Sequence, residues 1–109
     1  MKGPPTFLQQ VDNIILEHLT AVNLHALLSL HLDLSKSQIY RKIKQKSGVS
    51  PSVYIRNKRL AIAHKWLQET DATISDIAAA VGFANLSYFS RCFKDLYGYS
   101  PSWLKENIK

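Results

Sequence analysis

The sequence predicts an all-α fold of seven helices, made of two copies of a two-helix unit joined by a long central helix. Three observations carry this. The chain repeats itself at an offset of 50 residues. Its apolar side chains recur at helical spacing, with no alternating run that would read as a strand. Capping residues, glycines and prolines stand where helices must start and stop.

A first helix is expected over roughly 6–19. The first unit follows, with a helix over 24–31 and a second one that Ser35 caps and Gly48 closes. The turn between them, Leu32-Asp33-Leu34, has no glycine, so Asp33 is the residue expected to take the turn conformation. Pro51 opens the central helix, because proline suits a first helical turn, and the helix runs to Glu69. Val53, Leu60, Ala63 and Leu67 are its expected packing residues. Thr73 or Ser75 caps the next helix, over 74–81, and Gly82 ends it. Asn85 starts a longer helix, Leu86 to Tyr97, which Gly98 terminates. A short last helix follows Pro101, with Trp103 and Leu104 expected inside. The organisation is therefore residues 1–50 as first helix and first unit, 51–69 as connector, and 70–109 as second unit and last helix, together one domain.

Residues 24–54 align with 74–104 without gaps, and seven positions are identical: Ser37/Ser87, Arg41/Arg91, Lys44/Lys94, Gly48/Gly98, Ser50/Ser100, Pro51/Pro101 and Ser52/Ser102. Each copy reads as helix, turn, helix, stop, the pattern of a helix-turn-helix. At about 100° per residue, Leu86, Phe89, Phe93 and Leu96 fall on one side of their helix, with Cys92 at its edge. Ser87, Arg91 and Lys94 fall on the other. Ile39 and Ile43 mark the inward side of the first copy, and Ser37, Arg41 and Lys44 the outward side. A scaffold needs its inward residues to recur, but has no reason to repeat its outward ones. Arginine is shaped for a bidentate contact with guanine in the major groove, small hydroxyls permit close approach, and a lysine late in the helix suits a phosphate. A 19-residue connector is about 28 Å long, against about 34 Å for one turn of DNA. Two reading helices held in successive groove segments somewhat closer than one turn would require the duplex to bend.

Charge agrees. Formal net charge is +6. Between Ser35 and Lys65 stand nine basic residues and no acid: Lys36, Arg41, Lys42, Lys44, Lys46, Arg56, Lys58, Arg59 and Lys65. A one-signed block produces a local positive field suited to a polyanion, although on charge alone a solvated lysine-rich face explains it equally well. An apolar fraction of 46% with 20% charged residues describes a folded chain. No apolar run approaches the roughly 20 residues of a membrane span, no signal-peptide core follows Met1, and a cytoplasmic protein is expected. The single cysteine, Cys92, excludes an internal disulfide and multi-cysteine zinc sites. His18, His25, His31 and His64 show no metal-ligand spacing. No phosphate-cradling glycine loop, paired-carboxylate cleft or nucleophile–base set is present, so neither an enzyme nor a cofactor is expected. Aromatic stacking on unpaired bases is the rival nucleic-acid chemistry. Phe83, Phe89, Phe93 and Trp103 read as core instead, with Tyr40, Tyr88 and Trp66 left open.

The run Ile74-Ser75-Asp76-Ile77-Ala78-Ala79-Ala80-Val81-Gly82-Phe83, then Ser87-Tyr88-Phe89-Ser90-Arg91, Phe93-Lys94, Gly98 and Ser100-Pro101, closely resembles the C-terminal DNA-binding domain of the AraC/XylS transcription regulators. The central Arg59-Leu60-Ala61-Ile62-Ala63-His64-Lys65-Trp66-Leu67 also looks like that family's connector helix, and the resemblance spans about residues 7–106. It implies sequence-specific binding of double-stranded DNA for transcription regulation, through recognition helices at 35–47 and 86–97. By the resemblance, Ser37, Gln38, Tyr40 and Arg41 read bases in the first helix, and Leu86, Ser87, Ser90 and Arg91 in the second. Ser35, Lys36, Lys44, Arg56, Asn85 and Lys94 are the implied phosphate contacts. Leu86 is the one base-reading position that the helical wheel places toward the core instead. Trp103 and Lys105 stand where the family often has an aromatic residue and an arginine. The resemblance further implies a surface for RNA polymerase, at no located position, and a separate N-terminal sensing, receiver or dimerisation domain absent from this chain. The run from Ser35 to Leu60 is similar in style to response regulators and hybrid two-component sensors.

Overall fold

The structure, a computed structural model, describes residues 3–107. Among them the chain forms seven helices and no strand: α1 Phe7–Glu17, α2 Leu24–Leu32, α3 Lys36–Ser47, α4 Pro51–Glu69, α5 Ile74–Ala80, α6 Leu86–Tyr97 and α7 Pro101–Asn107. No helix among the described residues is long and apolar enough to cross a membrane.

The punctuation acts as its chemistry dictates. Thr6, Asn23, Ser35, Thr73 and Asn85 each cap a helix by accepting a backbone N–H with the side-chain oxygen. Thr73, not Ser75, caps α5. Gly48 and Gly98 end α3 and α6 at φ +84° and +82°, a left-handed conformation that a side chain would strain. The recurring Ser-Pro has the same logic twice. Ser50 Oγ accepts the Val53 N–H and Ser100 Oγ the Trp103 N–H, so each serine caps the helix whose first residue is the buried Pro51 or Pro101.

The turns differ between the copies although the sequences align without a gap. From aligned starts, α2 runs nine residues and α5 seven, and the positive-φ residue of the turn stands one position later in the first copy. Asp33 takes the left-handed conformation in the first (φ 54°, ψ 44°), whereas Gly82, aligned with Leu32, takes positive φ in the second. The Asp33 turn closes by the Leu34 N–H donating to the Ser29 carbonyl at 3.2 Å, and by the Ser29 hydroxyl donating to the Leu34 carbonyl. Phe83 N–H donates likewise to the Ala78 carbonyl at 2.9 Å. Asp33 thus fills the glycine's role, one position on.

The chain divides between Lys58 and Arg59, within α4, into two compact units. In the first, Val11 and Ile15 of α1, Leu24 and Leu28 of α2, Ile39 and Ile43 of α3, and Ile55 of α4 form the core. In the second, Leu60, Ala63 and Leu67 of α4 pack with Ile77, Ala78, Val81, Phe89, Cys92, Phe93 and Leu104. Each unit buries its own apolar stripe, as a short helix must to be stable.

Several expectations need correction. α1 stops at Glu17, because His18 caps it with its N–H directed to the Ile14 and Ile15 carbonyls. In α4 the residue that joins the first unit's core is Ile55, with Val53 only half-buried. Trp103 is 49% exposed: α7 buries Pro101 and Leu104, and the indole lies against Tyr99 at 4.8 Å between ring centroids. Leu86 and Leu96 are also exposed, at 46% and 42%. The wheel gives a direction, but at the first residue and in the last turn of α6 it does not supply a neighbour to cover the side chain.

Candidate nucleic-acid interface

The second helix of each unit turns one face inward and leaves the other in solvent. In α3, Ile39 and Ile43 are fully buried, while Ser37, Tyr40, Arg41 and Lys44 are exposed. In α6, Phe89 and Phe93 are fully buried, while Ser87, Arg91 and Lys94 are exposed. The serine–arginine–lysine trio thus faces solvent on both helices. Leu86 joins the exposed set, as the resemblance implied and the wheel did not. Ser90 is half-buried beside it.

The helix starts are held firmly. Ser35 and Gln38 form a capping box: the Ser35 N–H donates to Gln38 Oε1 at 2.8 Å, and the Gln38 N–H to Ser35 Oγ at 3.1 Å. This commits the amide oxygen of Gln38 and leaves its NH₂ to meet an acceptor. Asn85 Oδ1 accepts the Tyr88 N–H at 2.8 Å, which again leaves an amide NH₂ at the helix start. Ser35, Lys36 and Asn85 are all exposed at these electropositive ends, where anions are favoured. His25 Nε2 donates to the Lys36 carbonyl at 3.3 Å and ties α2 to the start of α3.

The two faces differ in charge and support. α3 carries Lys36, Arg41, Lys42, Lys44 and Lys46 and no acid, whereas α6 carries Arg91, Lys94 and one carboxylate, Asp95. Lys42 Nζ lies 5.4 Å above the Phe7 ring. In α6 the Arg91 guanidinium sits 5.4 Å from the centroid of the Tyr88 ring. Sequence reading did not pair these two, although their three-residue separation on a helix was the available signal.

Arg56, half-buried, stands in the first part of α4 beside a clip to α1. The Tyr54 hydroxyl donates to Asp12 Oδ1 at 2.6 Å, and Lys58 Nζ lies 3.2 Å from Asp12 Oδ2. Burial, then the hydrogen bond and charge of Asp12, push the Tyr54 phenol well above its usual pKa of 10.0. Burial, with Tyr99 adding, raises Tyr97 too. His64 has a structural place: Nε2 is 2.7 Å from the Tyr99 hydroxyl and Nδ1 is 3.0 Å from Gln68 Oε1, with the ring stacked on Phe93. Among the described residues no three His, Cys, Asp or Glu side chains are grouped to hold a metal.

The family model described as a helix-turn-helix domain matches residues 28–107. The chain is 37% identical over 92 residues to LumQ of Photobacterium leiognathi, a probable transcriptional regulator. That match covers 84% of this chain and 37% of LumQ, so the chain spans little more than a third of that relative's length. The C-terminal domain of the two-component response regulator yesN from Fusobacterium nucleatum superposes with a TM-score of 0.76 at 30% identity, covering 90% of this chain and 96% of that one. A probable AraC family transcriptional regulator from Rhodopseudomonas palustris gives 0.78 at 26% identity, covering 94% and 97%.

Proposed function

This chain belongs to the AraC family of DNA-binding transcription regulators, and from that membership we propose that it recognises a bipartite duplex sequence through α3 and α6, each in the major groove. The two helices read successive groove segments on one face of the DNA.

The observation that carries this reading is the repeated outward face. Ser37, Arg41 and Lys44 recur as Ser87, Arg91 and Lys94, exposed on both helices, while the inward positions are fully buried. Arg41 and Arg91 are assigned bidentate contacts to guanine. Ser37, Tyr40, Ser87 and Ser90, together with the Gln38 amide, complete the polar base contacts, and Leu86 offers an apolar surface to a thymine methyl. Ser35, Lys36, Lys44, Arg56, Asn85 and Lys94 are assigned to phosphates, which set register without reading sequence.

The module is further proposed to act under a separate sensing, receiver or dimerising domain, and to contact RNA polymerase, in the cytoplasm. Support for the extra domain comes from the greater length of LumQ and from the position of the yesN relative as the C-terminal domain of a response regulator.

Selection from a random duplex library, followed by titration of the recovered sequence at two salt concentrations, tests the central reading. The expected result is a motif of two elements about one helical turn apart. Steep salt dependence with no enriched motif would leave only a basic surface that coats DNA.

A further inference from the structure

We infer that Tyr88 is a positioning residue for Arg91, presetting the direction of its guanidinium so that α6 discriminates base pairs more sharply at that contact than α3 does through Arg41. This rests on the reading of α6 as a recognition helix.

The support is a continuous stack from core to surface within the second unit. Phe89 is fully buried. Phe83 meets it edge-on at 5.2 Å, Tyr88 packs against Phe83 at 6.0 Å, and Arg91 lies over Tyr88 at 5.4 Å. The Tyr88 N–H is also fixed by Asn85 Oδ1. The ring is therefore anchored below, while Tyr88 as a whole remains 40% exposed. A cation is attracted to the negative face of an aromatic ring, and arginine adds planar stacking. Asp95, four residues beyond Arg91, makes no ion pair with it, so the ring is what orients this charge.

The first copy has the same outward trio without this support. The position aligned with Tyr88 is Gln38, whose amide oxygen accepts the Ser35 N–H. Among the described residues, Arg41 has neither a ring nor a carboxylate partner. An exposed arginine must give up rotamer freedom when it engages a base, and a side chain already held in place gives up less. Two arginines at aligned positions thus carry different degrees of preorganisation.

The test uses the full chain with Tyr88→Leu, Tyr88→Phe and Arg91→Ala, titrated on the selected duplex and on duplexes carrying single base-pair changes in each element. Tyr88→Leu is expected to narrow the preference at the Arg91-dependent base pair by about two- to five-fold. It leaves the Arg41-dependent element and the salt slope unchanged. Tyr88→Phe keeps the parent's selectivity, because it keeps the ring. In the free protein, the Arg91 side-chain methylene protons should show ring-current shifts in the parent and in Tyr88→Phe, and lose them in Tyr88→Leu. Unchanged selectivity in Tyr88→Leu, or an equal loss at both elements, overturns the positioning role. If Arg91→Ala abolishes the preference while Tyr88→Leu spares it, only that role falls. If Arg91→Ala itself leaves the preference intact, the reading of α6 falls and takes the inference with it.

Discussion

Replacing Tyr54 with phenylalanine removes one hydroxyl and tests how α4 is fastened to α1 in the first unit. That hydroxyl donates to Asp12 Oδ1 at 2.6 Å, and Lys58 Nζ is both 3.2 Å from Asp12 Oδ2 and 5.6 Å from the Tyr54 ring centroid. A hydrogen bond to a charged acceptor contributes about 1.5–3 kcal/mol. The Asp12 side chain is 33% exposed and so partly screened, which places Tyr54→Phe near a loss of about 1–2 kcal/mol at pH 7. The pH dependence is the sharper part. Burial and Asp12 raise the phenol's pKa in the folded chain, so the folded chain holds its proton where the unfolded chain, titrating near 10, releases it. The contribution is therefore full below about pH 10 and is lost as pH rises toward the folded value. At pH 11 the unfolded phenol is about ten-elevenths ionised, which favours unfolding by about 1.4 kcal/mol. The stability gap between parent and Tyr54→Phe should shrink by about that amount between pH 9 and pH 11. Tyr97, also raised, is present in both proteins and cancels from the comparison. Urea unfolding followed by circular dichroism at pH 7, 9 and 11 measures this. A gap that stays constant with pH, or a variant as stable as the parent at pH 7, refutes the clip.

The glycines that end α3 and α6 isolate backbone strain from packing. A Cβ at Gly48 or Gly98 meets nothing within 4 Å, so alanine at either position should cost only the left-handed strain, about 1–2 kcal/mol. Denaturant unfolding that shows no loss, or a loss above about 4 kcal/mol, would contradict that. For the lysines of the outward trio, Lys44→Ala and Lys94→Ala should each weaken binding to all duplexes alike and reduce the salt slope by about 1. A sequence-dependent loss in a salt titration would instead move that lysine to the base-reading set.

Much of this fold is legible from punctuation. The bounds of α4 and α6 follow from a proline at one start, a capping asparagine at the other, and a closing glycine after α6. These residues act through local backbone chemistry that needs no knowledge of distant neighbours. The turn at Asp33 is legible for the same reason, because aspartate tolerates the left-handed region. Burial at helix ends is not legible. Leu86, Leu96 and Trp103 have the composition of core residues, but whether another element covers them depends on tertiary packing. The same holds for Ile55 against Val53 in α4, where both units draw on one helix and its periodicity is blurred. At the candidate interface, the outward trio followed from helical periodicity together with the repeat. What the sequence did not reveal is how each arginine is supported, since the stack from Phe89 through Phe83 and Tyr88 to Arg91 joins residues of three different spacings.

The central claim is that the two outward faces read two separate DNA elements. The most direct test titrates Arg41→Ala and Arg91→Ala on the selected duplex and on duplexes with either element scrambled. Each variant is predicted to lose about 1–3 kcal/mol of discrimination at one element only, and the two elements should differ. Equal loss of affinity by both variants on every duplex, random sequence included, would contradict the claim and reduce the two arginines to phosphate contacts.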